Sequence, residues 1–446
     1  MENYCQAKAK FRPKPAFLSD FWNRCGALAL AAALSVGTTG RPAAAQPGFE
    51  NVAPTDTTEP KDKPEPKGKK KKKKKKPDDG ANGKRKKNAV VSPAGHVEIK
   101  GRVVARSEMR AQRATIVGLD GRSESGLIKS HDLSVATARL SLHYESPAPW
   151  LTGVVEFELA GKPDLKDGYV QAKLDGFGFR AGQFKMPSSP QESVSPSALP
   201  TVHRGFTSQL LTDWLDVGGR RPGFMASYHP PSQGIRPGLS LGAFQSSTVV
   251  EVLPGDRDTD RISFKSLSSQ SLIARAQLET PVMAAGIWYE HRLGSPRVNE
   301  ARRYSTAGAD VTWDAGDHAG GLRAWLSGVV GESWYRHTAV ATLRDTAVFA
   351  TGRLLVGYRL FGTERDMFYL EPFGFCGVFD PDLKLNRDLA LETAVGLNVG
   401  LWRRTRFTLQ LESVVADTYF PKGSQGFLGG EDPRRESLYA QVMLVF

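Results

Sequence analysis

The feature that most limits the fold of this chain is an alternation of apolar and polar side chains that continues to its last residue. In the segment 389–401, alternate positions carry the apolar residues Leu389, Leu391, Val395, Leu397, Val399 and Leu401. The residues between them are small or polar, among them Glu392 and Asn398. A period of two is the side-chain period of a β-strand, whereas a helix repeats every 3.6 residues. The pattern therefore predicts strands with one apolar face.

Sixteen such segments follow residue 95. Their length, about 9–13 residues, suits strands that cross a bilayer at a tilt. An even number also lets antiparallel strands close with both ends of the sheet on one side. Soluble sandwiches alternate as well, but the polar faces here carry small residues and charges rather than the Lys and Thr of a solvated sheet. The chain is therefore predicted to be an all-β protein, a transmembrane antiparallel β-barrel of about 16 strands.

The charge of the chain is concentrated near its start. Of 60 basic and 47 acidic side chains, residues 1–90 hold 21 and 9, which leaves the remaining 356 residues with 39 and 38. A nucleic-acid-binding domain carries a basic face of its own, so no nucleic-acid partner is predicted. Three cysteines are too few for a disulfide framework or a Cys-based zinc site, and we predict neither a metal nor a cofactor.

Three segments are predicted along the chain. Residues 1–45 combine a basic start, a short apolar run and the small residues Ala43, Ala44 and Ala45, which is the pattern of a secretory signal peptide. Residues 46–94 are predicted to be a disordered Lys/Pro-rich linker, with eight consecutive lysines from Lys69 to Lys76. The linker either contacts an anionic envelope surface or serves as a solvated spacer. Residues 95–446 form the predicted barrel domain.

The interior charges decide what a barrel of this size can pass. Sixteen strands leave an open lumen, and the side chains that line it set its selectivity. The inward positions of the strands and the long connection 185–221 supply the predicted channel-lining, anion-binding residues: Lys100, Arg102, Arg139, Arg180, Lys185, Arg204, Arg220, Arg221, Arg275, Arg323 and Arg353. The alternative for each arginine is a salt bridge within the lumen wall.

The connection 185–221 is also predicted to fold into the lumen and narrow it, because a connection of this length is uncommon in a compact barrel unless it has a function. The alternative is an external loop without a part in conduction. At the other end of the domain, the last strand finishes on Phe446, which is predicted to be an assembly signal.

One stretch resembles a known family. The run Phe179-Arg-Ala-Gly-Gln-Phe-Lys-Met-Pro187, a Ser/Pro-rich loop and then His203-Arg-Gly-Phe206 are similar to the phosphate-selective porin O and P family. The resemblance is strongest near residues 150–225 and at the C-terminal strand, and the Lys-rich linker lies outside it. It implies a trimeric sixteen-strand barrel of the outer membrane that conducts phosphate or polyphosphate past arginines and lysines of its lumen.

Together these patterns predict an outer-membrane porin, located in the bacterial outer membrane, through which small anions diffuse. Outer-membrane lipid, small anionic solutes and two further copies in a homotrimer are its predicted partners. A non-selective porin and a structural barrel that tethers envelope layers without conduction are the alternatives. No enzymatic activity is predicted, because no Gly-x-Ser-x-Gly elbow is recognised beside the histidines.

Overall fold

The computed structural model of the chain describes residues 89–446 with internal gaps. The gaps are residues 93–94, 118–122, 190–192, 216, 232–233, 253–263, 294–302, 315–320, 334–346, 362–366, 385–387, 403 and 418–433. The predicted signal peptide lies outside the described residues, and so does the predicted linker apart from residues 89–92.

The described residues form seventeen strands. They are β1 (Ala89–Ser92), β2 (Gly95–Val117), β3 (Ser123–Glu145), β4 (Leu151–Glu158), β5 (Asp164–Leu174), β6 (Phe177–Lys185), β7 (Arg220–Tyr228), β8 (Arg236–Val252), β9 (Phe264–Glu279), β10 (Met283–Leu293), β11 (Arg303–Asp314), β12 (Leu322–Ser333), β13 (Ala347–Tyr358), β14 (Phe368–Asp380), β15 (Ala390–Leu401), β16 (Thr405–Ala416) and β17 (Arg434–Val445).

Helical structure in the described residues is confined to the connection between β6 and β7. A 3-10 turn spans Pro196–Ala198, and helix α1 spans Phe206–Gln209 and continues as a π-helical turn, Leu210–Trp214. None of these helices is long and apolar enough to cross a bilayer.

The sixteen strands β2–β17 close into one antiparallel barrel. Each pairs with its neighbours in chain order, and β17 pairs with β2 from Arg435 opposite Gln112 to Val445 opposite Arg102. The short strand β1 pairs with the first residues of β2, with Ala89 opposite Glu98. Closure satisfies the backbone groups of both edges, which an open sheet in lipid could not do. The prediction of a sixteen-strand barrel is confirmed.

The barrel wall separates two kinds of side chain. The outer face carries large apolar groups such as Leu133, Phe224 and Ile287, which are 75%, 71% and 64% exposed. The inner face carries charged groups such as Arg275 and Glu290, both of which are buried. An apolar exterior around a polar interior is the arrangement of a barrel that crosses a membrane.

The two ends of the barrel differ in their connections. At one end the strands join through short turns, such as the two-residue turn between β5 and β6, where Asp175 and Gly176 have φ of 46° and 86°. These positive φ values are those of a hairpin turn whose twist matches the strands. The long connection 186–219 lies at the opposite end. The start of β2 and the end of β17 lie at the short-turn end, because the number of strands is even.

Four strand predictions were too short, and one strand was not predicted. The alternation predicted the first two strands of the barrel over residues 96–106 and 133–144, whereas β2 and β3 each have 23 residues. The register of this pair shifts where Val104 and Ala105 lie opposite Thr137 and Val135, so the extra residue is Ala136 on β3. The bulge exchanges the two faces of β3 there and leaves the alternation of β2 unbroken. Likewise β8 and β9 extend beyond the predicted strands 237–245 and 271–280, and β1 lies within the predicted linker.

The closing contact provides a test of assembly. The N–H groups of Gly101 and Phe446 donate to each other's carbonyl oxygens at 2.8 and 3.0 Å, and the Phe446 ring occupies the space where a side chain at position 101 would lie. Deleting Phe446 removes both bonds and the ring contact. We expect export to continue and the fraction of folded barrel, measured as the heat-modifiable band in electrophoresis, to fall.

The matched control for that deletion is Phe368→Ala, which removes an outward aromatic ring of similar exposure from a strand that does not close the barrel. This variant should keep the folded band. A normal folded band after deletion of Phe446 would contradict an assembly role for the residue.

Candidate functional site: a segment folded into the barrel lumen

The connection between β6 and β7 lies inside the barrel. We call residues 186–219 the inward segment. Its side chains at Leu199, Phe206 and Leu210 are each 1% exposed, although the segment is a connection rather than a strand. Loops normally run over a protein surface, so burial on this scale requires partners for the backbone as well as for the side chains.

The barrel wall supplies those backbone partners through long side chains. Three of the donors to backbone carbonyl groups are arginines and one is an asparagine, and they come from four strands. The bonds are Arg406 Nη1 to the Ser197 carbonyl at 3.0 Å, Arg323 Nη2 to that of Ala198 at 3.0 Å, Asn398 Nδ2 to that of Pro200 at 2.9 Å, and Arg106 Nη2 to that of Val202 at 3.0 Å. Arg102 Nη1 adds a bond to a side chain, the Ser195 hydroxyl oxygen, at 3.0 Å. Cationic donors make stronger hydrogen bonds than neutral ones, which offsets the burial of the carbonyl groups.

A carboxylate of the wall holds the start of α1. Glu392 on β15 accepts hydrogen bonds from the N–H groups of Phe206 and Thr207 and from the Thr207 hydroxyl, the last two at 2.9 and 3.0 Å. The N-terminal N–H groups of a helix have no partner within the helix, and an anion there satisfies them. Gly205 precedes them with φ of +92°, and a Cβ at this position would lie 2.7 Å from the Glu392 carboxylate.

His203 joins the same network. Its Nε2 lies 2.9 Å from Glu412, and its Nδ1 accepts the Gly205 N–H at 2.8 Å. His203, Glu392 and Glu412 offer ligand atoms within 4.8 Å of one another, a set that suits a divalent cation. Each of these groups already has hydrogen-bond partners in the protein, and Glu412 also accepts from Arg435 at 3.2 Å. The network is complete without an ion.

Apolar packing fixes the other side of the inward segment. Leu210, Leu211 and Leu215 form a cluster with aromatic side chains that point inward from the wall, including Phe244, Trp288, Phe349 and Phe379. A second cluster joins Leu199 to Trp325 and Phe375. These clusters were not predicted, although large aromatic residues on the polar register of β10, β12 and β13 are a sign of them in the sequence. They fill the lumen beside β8–β16.

Several arginines predicted to line the channel are instead buried in wall contacts. Arg275 makes two 2.8 Å bonds to Asp310 and a further bond to the Ser188 carbonyl. Arg323 pairs with Asp314 and Glu371, and Arg353 lies over the Phe375 ring at 4.8 Å. Each of the three arginines is less than 10% exposed. For these residues the structure favours the alternative of a salt bridge or packing contact in the wall.

Two further predicted residues have their own partners. Arg180 stacks on Tyr169 and Phe184 at 4.5 and 5.2 Å and donates twice to the Gln171 side chain. Arg221 is 5% exposed and donates to the Gly218 carbonyl at the end of the inward segment.

The remaining predicted residues meet on the opposite side of the lumen, against β2–β7. We call Arg102, Arg139, Lys185, Arg204 and Arg220 the basic cluster. Arg102 lies within electrostatic range of Arg139 and Arg220, and Lys185 lies within range of Arg139, Arg204 and Arg220. Three acids share the region: Arg139 bonds to Glu156 and Glu158 at 2.9 and 2.8 Å, and Arg220 bonds to Asp167 at 2.9 Å.

This side of the lumen is also the more exposed one. The side chains of Arg139, Glu156 and Arg220 are 12–20% exposed, and Lys100, which pairs with Glu98, is 40% exposed. Glu371 and Glu392 on the filled side are fully buried. The inward segment therefore leaves the lumen most open along β2–β7, beside Arg139, Arg220 and the acids that they bond to. Arg102 and Lys185 lie deeper: Arg102 is 7% exposed, and Lys185 Nζ donates to the Ser193 and Val194 carbonyl groups at 2.9 and 2.8 Å.

One motif was overlooked in the sequence analysis. Gly238-Leu-Ser240-Leu-Gly242 has the Gly-x-Ser-x-Gly spacing. In the structure it lies wholly within β8, with Ser240 opposite Ser227 on β7. A nucleophile elbow requires a sharp turn from a strand into a helix, and this segment is an extended strand.

The buried pair on the filled side yields a stability prediction. Asp310→Ala would leave the Arg275 guanidinium buried with one charge uncompensated, which costs about 3–5 kcal/mol. We expect this loss in the free energy of unfolding, measured with urea on the barrel refolded in detergent. The control is Asp164→Ala, which breaks the exposed pair with Lys166 and should cost about 0–1 kcal/mol. Equal losses in the two variants would contradict the assignment of Arg275 as a structural tie.

Comparisons with known proteins support the fold. No protein-family profile and no curated protein sequence matches the chain. Among solved structures, the outer membrane channel DcaP of Acinetobacter baumannii is 11% identical, with 80% of this chain and 99% of that chain covered and a TM-score of 0.54. The anion-selective porin from Comamonas acidovorans is 13% identical over 78% of this chain and 99% of that chain, with a TM-score of 0.49. At this identity, the likeness to DcaP shows that the two chains share a closed β-barrel fold.

Proposed function

We propose that the protein is a channel of the bacterial outer membrane through which small anions diffuse. The observation that carries this proposal is the basic cluster, which lies where the inward segment leaves the lumen most open. Five basic side chains lie near three acids there, so the region carries a positive excess, and Arg139 and Arg220 are the partly exposed ones that border the pathway. A narrow, partly desolvated passage amplifies such an excess, because ions are poorly screened within it.

The architecture supports a channel over a closed scaffold. A barrel of sixteen strands is too wide for its own side chains to fill, and the inward segment fills one side of it. The outer membrane channel DcaP, which shares the barrel fold, supports the location and the class of function. The alternative is a structural barrel that tethers envelope layers and conducts nothing.

Phosphate is the anion that we propose the channel conducts. Guanidinium groups offer paired N–H donors whose spacing matches the oxygens of phosphate. Arg139 Nη1 and Arg220 Nη2 both bond to Glu156 Oε1, at 2.9 and 3.3 Å. Two guanidinium groups therefore converge on one point of the lumen, where a phosphate would compete with the Glu156 carboxylate for them. The resemblance of residues 179–187 and 203–206 to the phosphate-selective porins supports the same solute.

The remaining parts of the proposal concern segments and partners. Residues 1–45 direct export and are removed, and residues 46–94 join the barrel to a lysine tract that contacts an anionic envelope surface. Lipid of the outer membrane surrounds the apolar outer face, and three copies assemble. Chemical cross-linking of the protein in its native membrane tests the last point, and a limit at three subunits is the expected result.

Planar-bilayer recording tests the channel directly. The purified protein should give discrete current steps, and in a tenfold salt gradient the reversal potential should lie on the anion side of zero, within the limit of about 59 mV. Replacing chloride by phosphate should keep the anion preference and lower the current, as expected for a solute that binds. An absence of steps would favour the tethering barrel.

The double variant Arg139→Gln with Arg220→Gln tests the basic cluster. It leaves three basic groups facing three acids, so the reversal potential should move close to zero. The control, Lys129→Gln with Arg434→Gln, removes the same charge from exposed positions outside the lumen and should leave the reversal potential unchanged. An unchanged reversal potential in the first variant would remove the basic cluster from the conduction path.

A further inference from the structure

We propose that Glu392 is the positioning residue that fixes the width of the channel, by fastening the start of α1 to the barrel wall. This inference rests on the proposed function, because it assigns a role to the inward segment in conduction. Glu392 touches no part of the open pathway. It acts through the inward segment, which forms one side of that pathway.

Glu392 differs from the other wall side chains in the number and type of bonds that it makes to the segment. Its carboxylate accepts from the N–H groups of Phe206 and Thr207 and from the Thr207 hydroxyl, and it is fully buried. The arginine ties described above hold single carbonyl groups of residues 197–202. Glu392 instead accepts hydrogen bonds from two successive N–H groups and from a side-chain hydroxyl, so it fixes the direction of the first turn of α1.

The segment and the wall fit closely at this point. A Cβ at Gly205 would lie 2.7 Å from Glu392, so the chain passes directly over the carboxylate. On the neighbouring strand β14, a Cβ at Gly377 would lie 2.7 Å from the Thr207 hydroxyl oxygen. At both positions the absence of a Cβ lets a side chain of the other element approach the backbone closely.

The residues beside Gly205 are also fastened to the wall. His203, two residues before Gly205, donates to Glu412 at 2.9 Å, and Val202 donates its N–H to Gln410 at 2.9 Å. The stretch 202–207 is thus fastened to β15 and β16 at successive points, and Glu392 is the last of these. Beyond Glu392, the helical part of the segment packs through Leu210 and Leu211, and a wall hydrogen bond follows from Arg292 Nη1 to the Leu215 carbonyl at 3.0 Å.

The predicted consequence is mechanical. Glu392→Gln keeps the shape of the side chain but removes its charge and one acceptor, so the start of α1 should leave the wall intermittently. The open-channel current should then fluctuate between levels, and its variance should rise several-fold over that of the parent protein. The control is Glu108→Gln, which alters an inward carboxylate that pairs with Arg110 on its own strand. Its open-channel current should be as quiet as that of the parent.

A disulfide rescue separates positioning from a general loss of stability. The rescue variant adds Thr207→Cys and Gly377→Cys to Glu392→Gln. A Cβ at position 377 would lie 2.7 Å from the Thr207 hydroxyl oxygen, which the sulfur of the new cysteine at that position would replace. The two thiols can therefore form a disulfide with little movement. Oxidation should restore the quiet current and a reductant should remove it again. Gly377→Cys alone, in the Glu392→Gln background, should show no such response to oxidation.

Two further measurements keep the inference open to refutation. If Glu392→Gln fails to give the folded band, Thr207→Val removes one hydroxyl donor at the same volume and should raise the current variance to a smaller extent. Limited proteolysis reads the position of the segment without any current: residues 186–219 should be protected in the parent barrel and cleaved in Glu392→Gln.

The outcomes are distinguishable. A parent protein that conducts nothing, while Glu392→Gln exposes the segment to protease, would overturn the proposed channel and leave the positioning role of Glu392 standing. A folded Glu392→Gln barrel with a quiet current and a protected segment would overturn the positioning role. A rise in the current variance of the parent protein on adding a chelator, reversed by added Zn²⁺, would overturn the hydrogen-bonded role and point instead to a metal bound by His203, Glu392 and Glu412.

Discussion

The structure depends on the hydrogen bonds that carry the inward segment across the inside of the barrel. A connection that leaves the barrel rim and enters the lumen must find partners for its buried N–H and carbonyl groups. Wall arginines satisfy the carbonyl groups, and the Glu392 carboxylate satisfies the N–H groups at the start of α1. Charged side chains on the inner face of the wall therefore stabilise the inward segment, in addition to any contact that they make with a solute.

This use of charge divides the interior in two. Along β8–β16, ion pairs such as Arg275–Asp310 and inward aromatic rings such as Trp288 pack against the segment, and the lumen is filled like a protein core. Along β2–β7, Arg139 and Arg220 share acids but remain partly exposed. The same residue types thus serve as ties on one side and as candidate solute contacts on the other, and only their surroundings distinguish them.

The sequence predicts the barrel well because a period of two is a direct consequence of strand geometry in a membrane. Sixteen alternating segments correspond one to one with β2–β17. Alternation fails where a bulge adds a residue, as at Ala136 on β3, where the two faces of that strand exchange. It also gives no sign of β1, a strand of four residues that is too short to show a period.

The candidate site is less predictable from the sequence, because inward alternation says which face a residue occupies and not what it meets there. Arg275 and Arg139 both occupy inward positions of the alternating sequence pattern. In the structure, Arg275 is buried against the inward segment, whereas Arg139 borders the open side of the lumen. The difference arises from contacts across 87 residues of sequence, such as that from Arg275 to Ser188. Periodicity carries no information about contacts at that range.

The central claim is that the inward segment fills one side of the lumen and leaves a water path on the other. Cysteine accessibility to a charged, membrane-impermeant thiol reagent tests it most directly, with Lys100→Cys on the open side and Ser327→Cys on the filled side. The account predicts rapid labelling at position 100, with a fall in current, and no labelling of the folded barrel at position 327. Equal labelling at both positions would contradict it.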